Sequence, residues 1–258
     1  HHEIGLWAGV ASYYGDLQQE LLPNSKMMKP SGGILYKYFF NPHLGIRAGV
    51  SYISLTAADS LSTIRANQLR NLDFTNRMFE FHVGLEANIL PIEVDRMKIS
   101  PYVFAGVAVS YGNPFTRDIN NEKFFLRDMS TEGQGLPNYP DRKPYSLTNA
   151  SIPLGVGIKT FIGNTVLLSA ELGLRYAATD YLDDVSRTYV NMDTLAMYKG
   201  EKAVELSYKG NQNVDWDGNY PDLKFQRGDF RKNDWYWTAG LSATIYFRSF
   251  GNAKEWIQ

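Results

Sequence analysis

The chain has 258 residues, with 26 Lys and Arg against 27 Asp and Glu, which gives a formal net charge of −1. This balance argues against a nucleic-acid-binding protein, which would carry a basic excess. The absence of cysteine excludes disulfide scaffolds, Cys-ligated zinc and thiol catalysis. No run of about 18 apolar residues marks a transmembrane helix. A strand pattern begins directly after His1 and His2, so we expect the mature part of an exported chain.

Apolar and polar residues alternate with a period of two in eight segments, which is the pattern of strands with one apolar face. In the clearest segment, Phe79, Phe81 and Val83 share one face and Glu80 and His82 the other. A tilted strand needs about 9–11 residues to cross a bilayer, which is close to the length of these segments. In chain order they cover residues 3–10, 33–40, 44–52, 79–89, 102–109, 152–159, 168–175 and 237–247.

An antiparallel sandwich would alternate in the same way, with its polar face in water. Glycine, however, recurs on the polar faces of these segments, and it weakens a strand that faces solvent. Inside a narrow eight-stranded barrel, small residues make room for large ones such as Trp7 and Tyr102. The glycines therefore favour a barrel. They are Gly5, Gly9, Gly45, Gly49, Gly84, Gly106, Gly155, Gly157, Gly173 and Gly240.

The charges on the polar faces balance, which a filled lumen requires because a buried charge without a partner is costly. Glu3 lies near the end of the first segment and can join the same set. Glu80, His82 and Glu86 could also be read as a catalytic or proton-relay group, but polar filler that pairs with Arg and Lys is favoured. The predicted lumen polar network consists of Lys37, Arg47, Glu80, His82, Glu86, Lys159, Glu171 and Arg175.

The connections between the segments alternate between long and short. Long loops cover about 15–31, 56–76, 112–150 and 177–234, and short turns lie at Asn41-Pro42, 91–98 and Gly163-Asn164. An even number of strands with this alternation is typical of outer-membrane barrels. The sequence therefore predicts an all-β fold: one eight-stranded antiparallel transmembrane outer-membrane β-barrel domain over 1–258. Its long loops would be extracellular, and its short turns, both termini and the tail 251–258 periplasmic.

The sequence offers little catalytic or metal-binding chemistry. No His pair has ligand spacing and no serine-elbow motif is present, so we expect neither an enzyme nor a cofactor. The run Asp180-Tyr181-Leu182-Asp183-Asp184-Val185-Ser186 could supply oxygen ligands to calcium. It lacks the spaced glycine and distal glutamate of a calcium loop, so local capping or loop packing is favoured. The Arg227-Gly228-Asp229 triplet arises often by chance and does not indicate adhesion.

Several motifs resemble an outer-membrane barrel family of Bacteroidota that includes PorG, a component of the type IX secretion system. They are Glu3-Ile4-Gly5-Leu6-Trp7-Ala8-Gly9 with Tyr14-Gly15-Asp16, Arg70-Asn71-Leu72, Thr131-Glu132-Gly133-Gln134-Gly135, Ile152-Pro153-Leu154-Gly155-Val156-Gly157 and Thr179-Asp180-Tyr181-Leu182-Asp183-Asp184-Val185-Ser186. The resemblance implies a structural barrel that anchors a periplasmic ring, made of the lipoprotein PorK and the protein PorN, to the outer membrane. Residues of these motifs expected in ordered loops are Arg70, Asn71, Glu132, Gln134, Asp180, Asp183 and Asp184.

A periplasmic partner would meet the short turns and the tail. The alternative for the tail is a disordered end. A small porin-like or adhesion barrel that acts through its extracellular loops also stays open as a function, although eight strands leave little room for a channel. The candidate partner contacts are Asn41, Pro42, Glu93, Asp95, Arg96, Gly163, Asn164, Gly251, Asn252, Lys254 and Trp256.

Overall fold

The computed structural model describes residues 1–20, 24–91, 99–214, 216–221, 223 and 225–247. Within these residues, eight long antiparallel strands form a closed barrel. Each of the eight strands pairs with the next one along the chain, and the first pairs with the last to close the ring. The barrel strands are β1 (His2–Tyr14), β2 (Lys29–Phe39), β3 (Leu44–Ala58), β4 (Asp73–Asn88), β5 (Ile99–Gly112), β8 (Thr148–Ile162), β9 (Val166–Ala177) and β10 (Trp235–Phe247).

The alternation along each strand sorts side chains between the interior and the exterior of the barrel. On β4, Phe79 and Phe81 are 63% and 54% exposed, whereas Glu80 and His82 are buried. Because successive side chains of a strand point to opposite faces, the period-two pattern becomes an apolar outside and a polar inside. The predicted eight-stranded antiparallel barrel is confirmed.

The strand ladders run further toward the long loops than the alternation predicts. Pairing of β3 with β4 continues to Ala58 and Asp73, and β2 begins at Lys29. The long connections are therefore 15–28, 59–72, 113–147 and 178–234, and each is shorter than predicted. At the tips of β1 and β3, consecutive residues are buried on both faces, as at Ala11–Tyr13 and Ile53–Leu55, so the apolar–polar alternation fades while the ladder hydrogen bonds continue.

The long loops contain further secondary structure that the sequence pattern did not indicate. Two short strands, β6 (Phe115–Arg117) and β7 (Lys123–Phe125), form a hairpin beside β4. The helices are α1 (Arg65–Arg70), α2 (Leu126–Met129), α3 (Met192–Lys199) and α4 (Glu201–Ser207). Asn191 caps α3 by accepting a 2.8 Å hydrogen bond from Thr194 N. Among the residues described, no helix is long and apolar enough to cross a membrane.

The main apolar core lies at the long-loop end of the barrel. It joins strand tips, such as Tyr13, Leu55 and Phe74, to loop residues such as Leu182 and Val185. A second cluster, which includes Leu136, Val190, Leu195, Ala203 and Val204, packs α3 and α4 against neighbouring loop residues. The long loops therefore form a packed cap over this end of the barrel.

Candidate functional site

A buried ion-pair network fills the half of the barrel near the short turns. Lys37 Nζ and Lys159 Nζ each lie 2.8 Å from an oxygen of Glu86. Lys159 Nζ also lies 3.5 Å from Glu3 Oε1, and the four side chains are fully buried. Since each carboxylate has a cation beside it, the network avoids the cost of an unpaired buried charge.

Arg47 extends this network toward the middle of the barrel. Its two terminal nitrogens lie 2.9 and 3.0 Å from the two oxygens of Glu171, a forked geometry that fixes both side chains. The Tyr102 hydroxyl donates a 3.0 Å hydrogen bond to Glu171, and the Arg47 guanidinium lies 3.9 Å from the centroid of the Phe104 ring. Ion pairs and aromatic rings are thus interleaved across the interior.

A second group of charges lies nearer the long loops. Arg175 Nη2 is 3.4 Å from Glu80 Oε1, and the Tyr236 hydroxyl donates a 2.5 Å hydrogen bond to the other oxygen of Glu80. His82 Nδ1 lies 3.7 Å from Glu80 Oε1, and neither ring nitrogen has a hydrogen-bond partner among the residues described. The structure therefore brings all eight predicted lumen residues into the interior, with His82 as the least engaged of them.

Glycine on the interior face makes room for the aromatic rings. A Cβ atom at Gly157 would lie 2.3 Å from Cζ of Tyr102, and one at Gly155 would lie 2.5 Å from Cζ of Phe104. Contacts this short require a side chain to move. The interior that remains is nearly full: cavities beside Arg47 and His82 hold only about 20 and 10 Å³. A volume of this size accepts about one water molecule.

An acidic cluster lies beneath the cap and is formed by Asp16, Glu132, Asp180, Asp183, Asp184 and Asp234. At its centre, the Tyr13 hydroxyl lies 2.7 Å from Asp183 Oδ2 and 2.6 Å from Asp234 Oδ1. A hydroxyl carries a single proton, so it can donate to one of these oxygens only. The other short contact requires a proton on a carboxyl group. The geometry therefore indicates that Asp183 and Asp234 share one proton between them.

The surroundings raise the pKa of this pair. Burial is the main cause of the raised pKa values of Asp183 and Asp234, followed for Asp183 by the negative charge of Asp16 and for Asp234 by that of Asp183. Leu182 N donates to Asp234 and Val185 N to Asp183, which moderates the rise. The cluster thus holds the segment 182–185 through protonated as well as charged carboxyl groups.

Asp180 is the least satisfied member of the acidic cluster. It is 7% exposed, and neither carboxylate oxygen makes a hydrogen bond in the part of the chain described. Burial raises the pKa of Asp180 to about 9, with further contributions from the negative charges of Asp183 and Asp16. Across the described residues, no group of three or more His, Cys, Asp or Glu is placed to hold a metal ion. The surroundings therefore favour a proton on Asp180.

Arg227 supplies the positive charge of the cluster. Its Nη1 lies 3.2 Å from Glu132 Oε1 and its Nη2 lies 3.4 Å from Asp184 Oδ2. Asp184 also accepts a 2.8 Å hydrogen bond from the Tyr145 hydroxyl, and burial raises its pKa to about 6. The backbone N–H of Glu132 donates to Gln134 Oε1. The predicted loop motifs at 131–135 and 179–186 therefore fold against each other.

The Arg70-Asn71-Leu72 triplet joins two of the long loops. Arg70 binds Asp59 through two hydrogen bonds of 2.7 and 2.8 Å and donates to the backbone oxygen of Arg227. Asn71 adopts a left-handed conformation with φ of 55° and ends α1. Leu72 N donates to Asp59 Oδ2 at 3.0 Å. These contacts tie loop 59–72 to loop 178–234.

The matching family model is described as a domain of unknown function, DUF6089, and covers residues 1–205. The chain belongs to the DUF6089 family. Comparison with the curated proteins returns no match.

Among solved structures, the DUF6089 chain is similar to small outer-membrane proteins. These include Ail, the attachment invasion locus protein of Yersinia pestis, at 11% identity and a TM-score of 0.42. Neisserial surface protein A matches at 10% identity and a TM-score of 0.46, and both alignments cover 95% of this chain and 97% of the other. A major outer membrane protein of Thermus thermophilus matches at 12% and 0.43, covering 96% and 100%. Because these TM-scores are below 0.5, we assign the barrel from the strand pairing of this chain itself.

The two short turns of the DUF6089 chain that lie within the described residues, at Asn41-Pro42 and Gly163-Asn164, are exposed and locally ordered. Asn41 Oδ1 accepts hydrogen bonds of 2.9 Å from the backbone N–H groups of His43 and Leu44, and Pro42 O accepts one from Asn88 Nδ2. Gly163 has φ of +63° and forms a turn with Asn164. The remaining candidate partner contacts lie outside the described residues: Glu93, Asp95, Arg96, Gly251, Asn252, Lys254 and Trp256.

Several residues in or beside the acidic cluster were not predicted from the sequence. Tyr13, Asp234 and Arg227 are at least 98% buried, although they lie at strand ends or in a long loop. The sequence signal that could have found them is weak, because Tyr13 breaks no pattern and Arg227 lies in a common triplet. Burial of Arg227 also removes it from the surface on which an adhesion motif would act.

Proposed function

We propose that this chain is a non-enzymatic structural barrel of the outer membrane. The observation that carries the proposal is the pairing of an apolar exterior with an interior filled by buried ion pairs. Exposed residues of four strands illustrate the exterior: Leu6 at 64%, Phe79 at 63%, Val107 at 61% and Leu241 at 69%. Soluble monomers rarely expose apolar patches larger than a few hundred Å², whereas a bilayer covers such a belt.

A closed barrel also satisfies the backbone in lipid. Since every barrel strand is paired on both sides, no ladder edge remains to expose N–H and C=O groups to the bilayer core. The four long connections lie at one end, and the short turns at the other. By analogy with bacterial outer-membrane barrels, we assign the short turns and the amino terminus to the periplasm.

Cysteine labelling tests this orientation, because the chain has no native cysteine. Asn164→Cys lies in an exposed short turn, and Lys232→Cys replaces a side chain 81% exposed in a long loop. On intact cells, we expect a membrane-impermeant maleimide to label Lys232→Cys and to reach Asn164→Cys only after the outer membrane is permeabilised. The reverse labelling pattern would contradict the orientation, and labelling of neither variant after lysis would indicate that the protein is absent.

At the finer level, we propose that the barrel anchors a periplasmic ring of the type IX secretion system, formed by PorK and PorN. The support is the resemblance of the motifs at 3–9, 70–72, 131–135 and 179–186, which the structure places in the first strand and in the packed cap. The exposed turns at Asn41-Pro42 and Gly163-Asn164 supply the candidate contacts.

Co-purification tests the ring proposal. The tagged protein, extracted from outer membranes in mild detergent, should elute in a large assembly with PorK and PorN. We expect Asn164→Arg to reduce the amount of ring protein recovered, whereas Lys143→Glu, at an exposed site on the opposite end, should not. Elution of a folded barrel alone, at about the 29.3 kDa of the chain plus detergent, would contradict the secretion role but not the structural barrel.

A further inference from the structure

A pocket of about 190 Å³ lies among the long loops and belongs to neither the lumen network nor the acidic cluster. Among the described residues, two guanidinium groups and no carboxylate line it. Drug-sized ligands occupy pockets of about 300–1,000 Å³, so this one suits a smaller group such as a single ring. The lining residues are Arg142, Arg187, Thr188, Gln226, Gly228 and Phe230.

Arg142 is held in place without a carboxylate partner. Its Nη1 donates to Glu132 O and Thr188 O at 2.9 and 2.8 Å, and its Nη2 donates to Thr188 Oγ1 at 2.7 Å. No ion pair to Arg142 occurs within the described residues. A guanidinium has five N–H donors, so two of them remain for a ligand. A half-buried cation fixed in this way loses little conformational entropy when it binds.

Arg187 provides a second cation at the rim of the pocket. Among the residues that the structure describes, Arg187 forms one ion pair, with Asp141 at 3.3 Å, and the two side chains are 40% and 71% exposed. Exposed pairs of this kind contribute about 0–1 kcal/mol, so an incoming anion can replace Asp141 at little cost.

Phe230 and the backbone around Gly228 complete the pocket. Phe230 is 56% exposed and supplies an apolar wall. A Cβ atom at Gly228 would lie 2.3 Å from Asp16 Oδ2 and 2.7 Å from Ser186 N, so the backbone is fixed close to the acidic cluster. Gly228 N donates to Arg187 O at 2.9 Å, which joins the two sides of the pocket.

We propose that this pocket binds an acidic sugar residue, with its carboxylate at the two arginines and its ring on Phe230. A planar carboxylate matches the forked donors of a guanidinium. Thr188 and Gln226 also line the pocket, and a hydroxyl and an amide are suitable hydrogen-bond partners for sugar hydroxyl groups. Binding at this site is independent of the ring-anchoring role and of the membrane orientation.

Titration calorimetry on the full-length protein in detergent, with glucuronate as the probe, tests the proposal. Glucose is the matched neutral sugar. Because a hydrogen bond to a charged group contributes roughly 1.5–3 kcal/mol, we expect glucuronate to bind at least about tenfold more tightly than glucose. Equal affinity for the two sugars, or no saturable binding of glucuronate, would overturn the proposal.

Variants locate the binding to this pocket. Arg187→Gln and Phe230→Ala change exposed side chains, so the barrel should fold, and each should weaken glucuronate binding severalfold. Lys143→Gln is the control, because Lys143 is an exposed cation next to Arg142 that does not line the pocket. If Lys143→Gln weakens binding as much as Arg187→Gln, the affinity reflects general surface charge and the pocket assignment is wrong.

Discussion

Glu86 is the residue on which the lumen network depends. Glu86 contacts Lys37, Lys159 and Arg47. The other carboxylates beside these cations are Glu3, which lies near Lys159, and Glu171, which pairs with Arg47. Removal of the charge of Glu86 leaves three buried cations short of a counter-charge. The cavity beside Arg47 has room for about one water molecule, which carries no charge to replace that of Glu86.

We therefore expect Glu86→Gln to destabilise the barrel by about 3–5 kcal/mol, which is the usual cost of breaking a buried ion pair. Urea unfolding in detergent micelles, followed by the heat-dependent shift on electrophoresis, measures the change. The control is Glu205→Gln, since Glu205 pairs with Lys202 near the surface of the cap and should cost about 1 kcal/mol or less. Equal losses for the two variants would contradict the proposed role of the network.

The packing of aromatic rings against glycine can be tested at Gly157. Gly157→Ala places a methyl group where the Tyr102 ring lies, and we expect a loss of about 1–3 kcal/mol from overpacking. The same substitution in a Tyr102→Leu background should cost less, because the obstructing ring is gone. Unfolding free energies of the four proteins give this coupling. Additive losses would show that the ring does not restrict position 157.

At the scale of elements, loop 178–234 depends on carboxyl groups that carry protons. The raised pKa of Asp180, about 9, and of Asp184, about 6, means that the folded cap binds protons that an unfolded chain would release. Arg227 is the neighbouring cation that opposes this effect at Asp184. The stability that these protonated groups contribute is complete below about pH 4, the pKa of an Asp in the unfolded chain. It is lost as the pH rises through the pKa values of the folded state.

We accordingly expect the cap to loosen between about pH 4 and pH 9 while the barrel stays folded. Hydrogen exchange of loop 178–234, measured at several pH values and corrected for intrinsic exchange rates, should report the change. Asp180→Asn should remove part of the loss at high pH, whereas Asp141→Asn, at an exposed carboxyl group, should not. Protection that is constant over this range, or that rises with pH, would contradict the protonated cluster.

At the scale of the whole molecule, the filled interior argues against a channel. The cavities beside Arg47 and His82 hold about 20 and 10 Å³, and the packed cap covers one end. We expect the folded protein, identified by its heat-dependent electrophoretic shift, to give no steady conductance in planar bilayers. Reproducible single-channel steps from the folded protein would contradict this prediction and favour the porin-like alternative.

The eight-strand barrel is predictable from the sequence because each strand repeats a local pattern. Period-two alternation, as in Phe79 to Phe81 around Glu80, needs no knowledge of the partner strand. The interior set is predictable for the same reason: a charge such as Lys37 or Glu171 on a polar face must lie inside once the barrel closes. The alternation of loop lengths follows from counting residues alone.

Which charges meet was decided only by the tertiary structure. Arg47 and Glu171 lie 124 positions apart, and strand register, set by the closed ladder, brings them to 2.9 Å. The acidic cluster is more remote still from any pattern, because Tyr13, Asp183 and Asp234 come from three separate segments. Loops fold by specific contacts rather than by periodicity. The sequence alone therefore determined the barrel and its two faces, while packing determined the cap, its protonated carboxyl groups and the arginine-lined pocket.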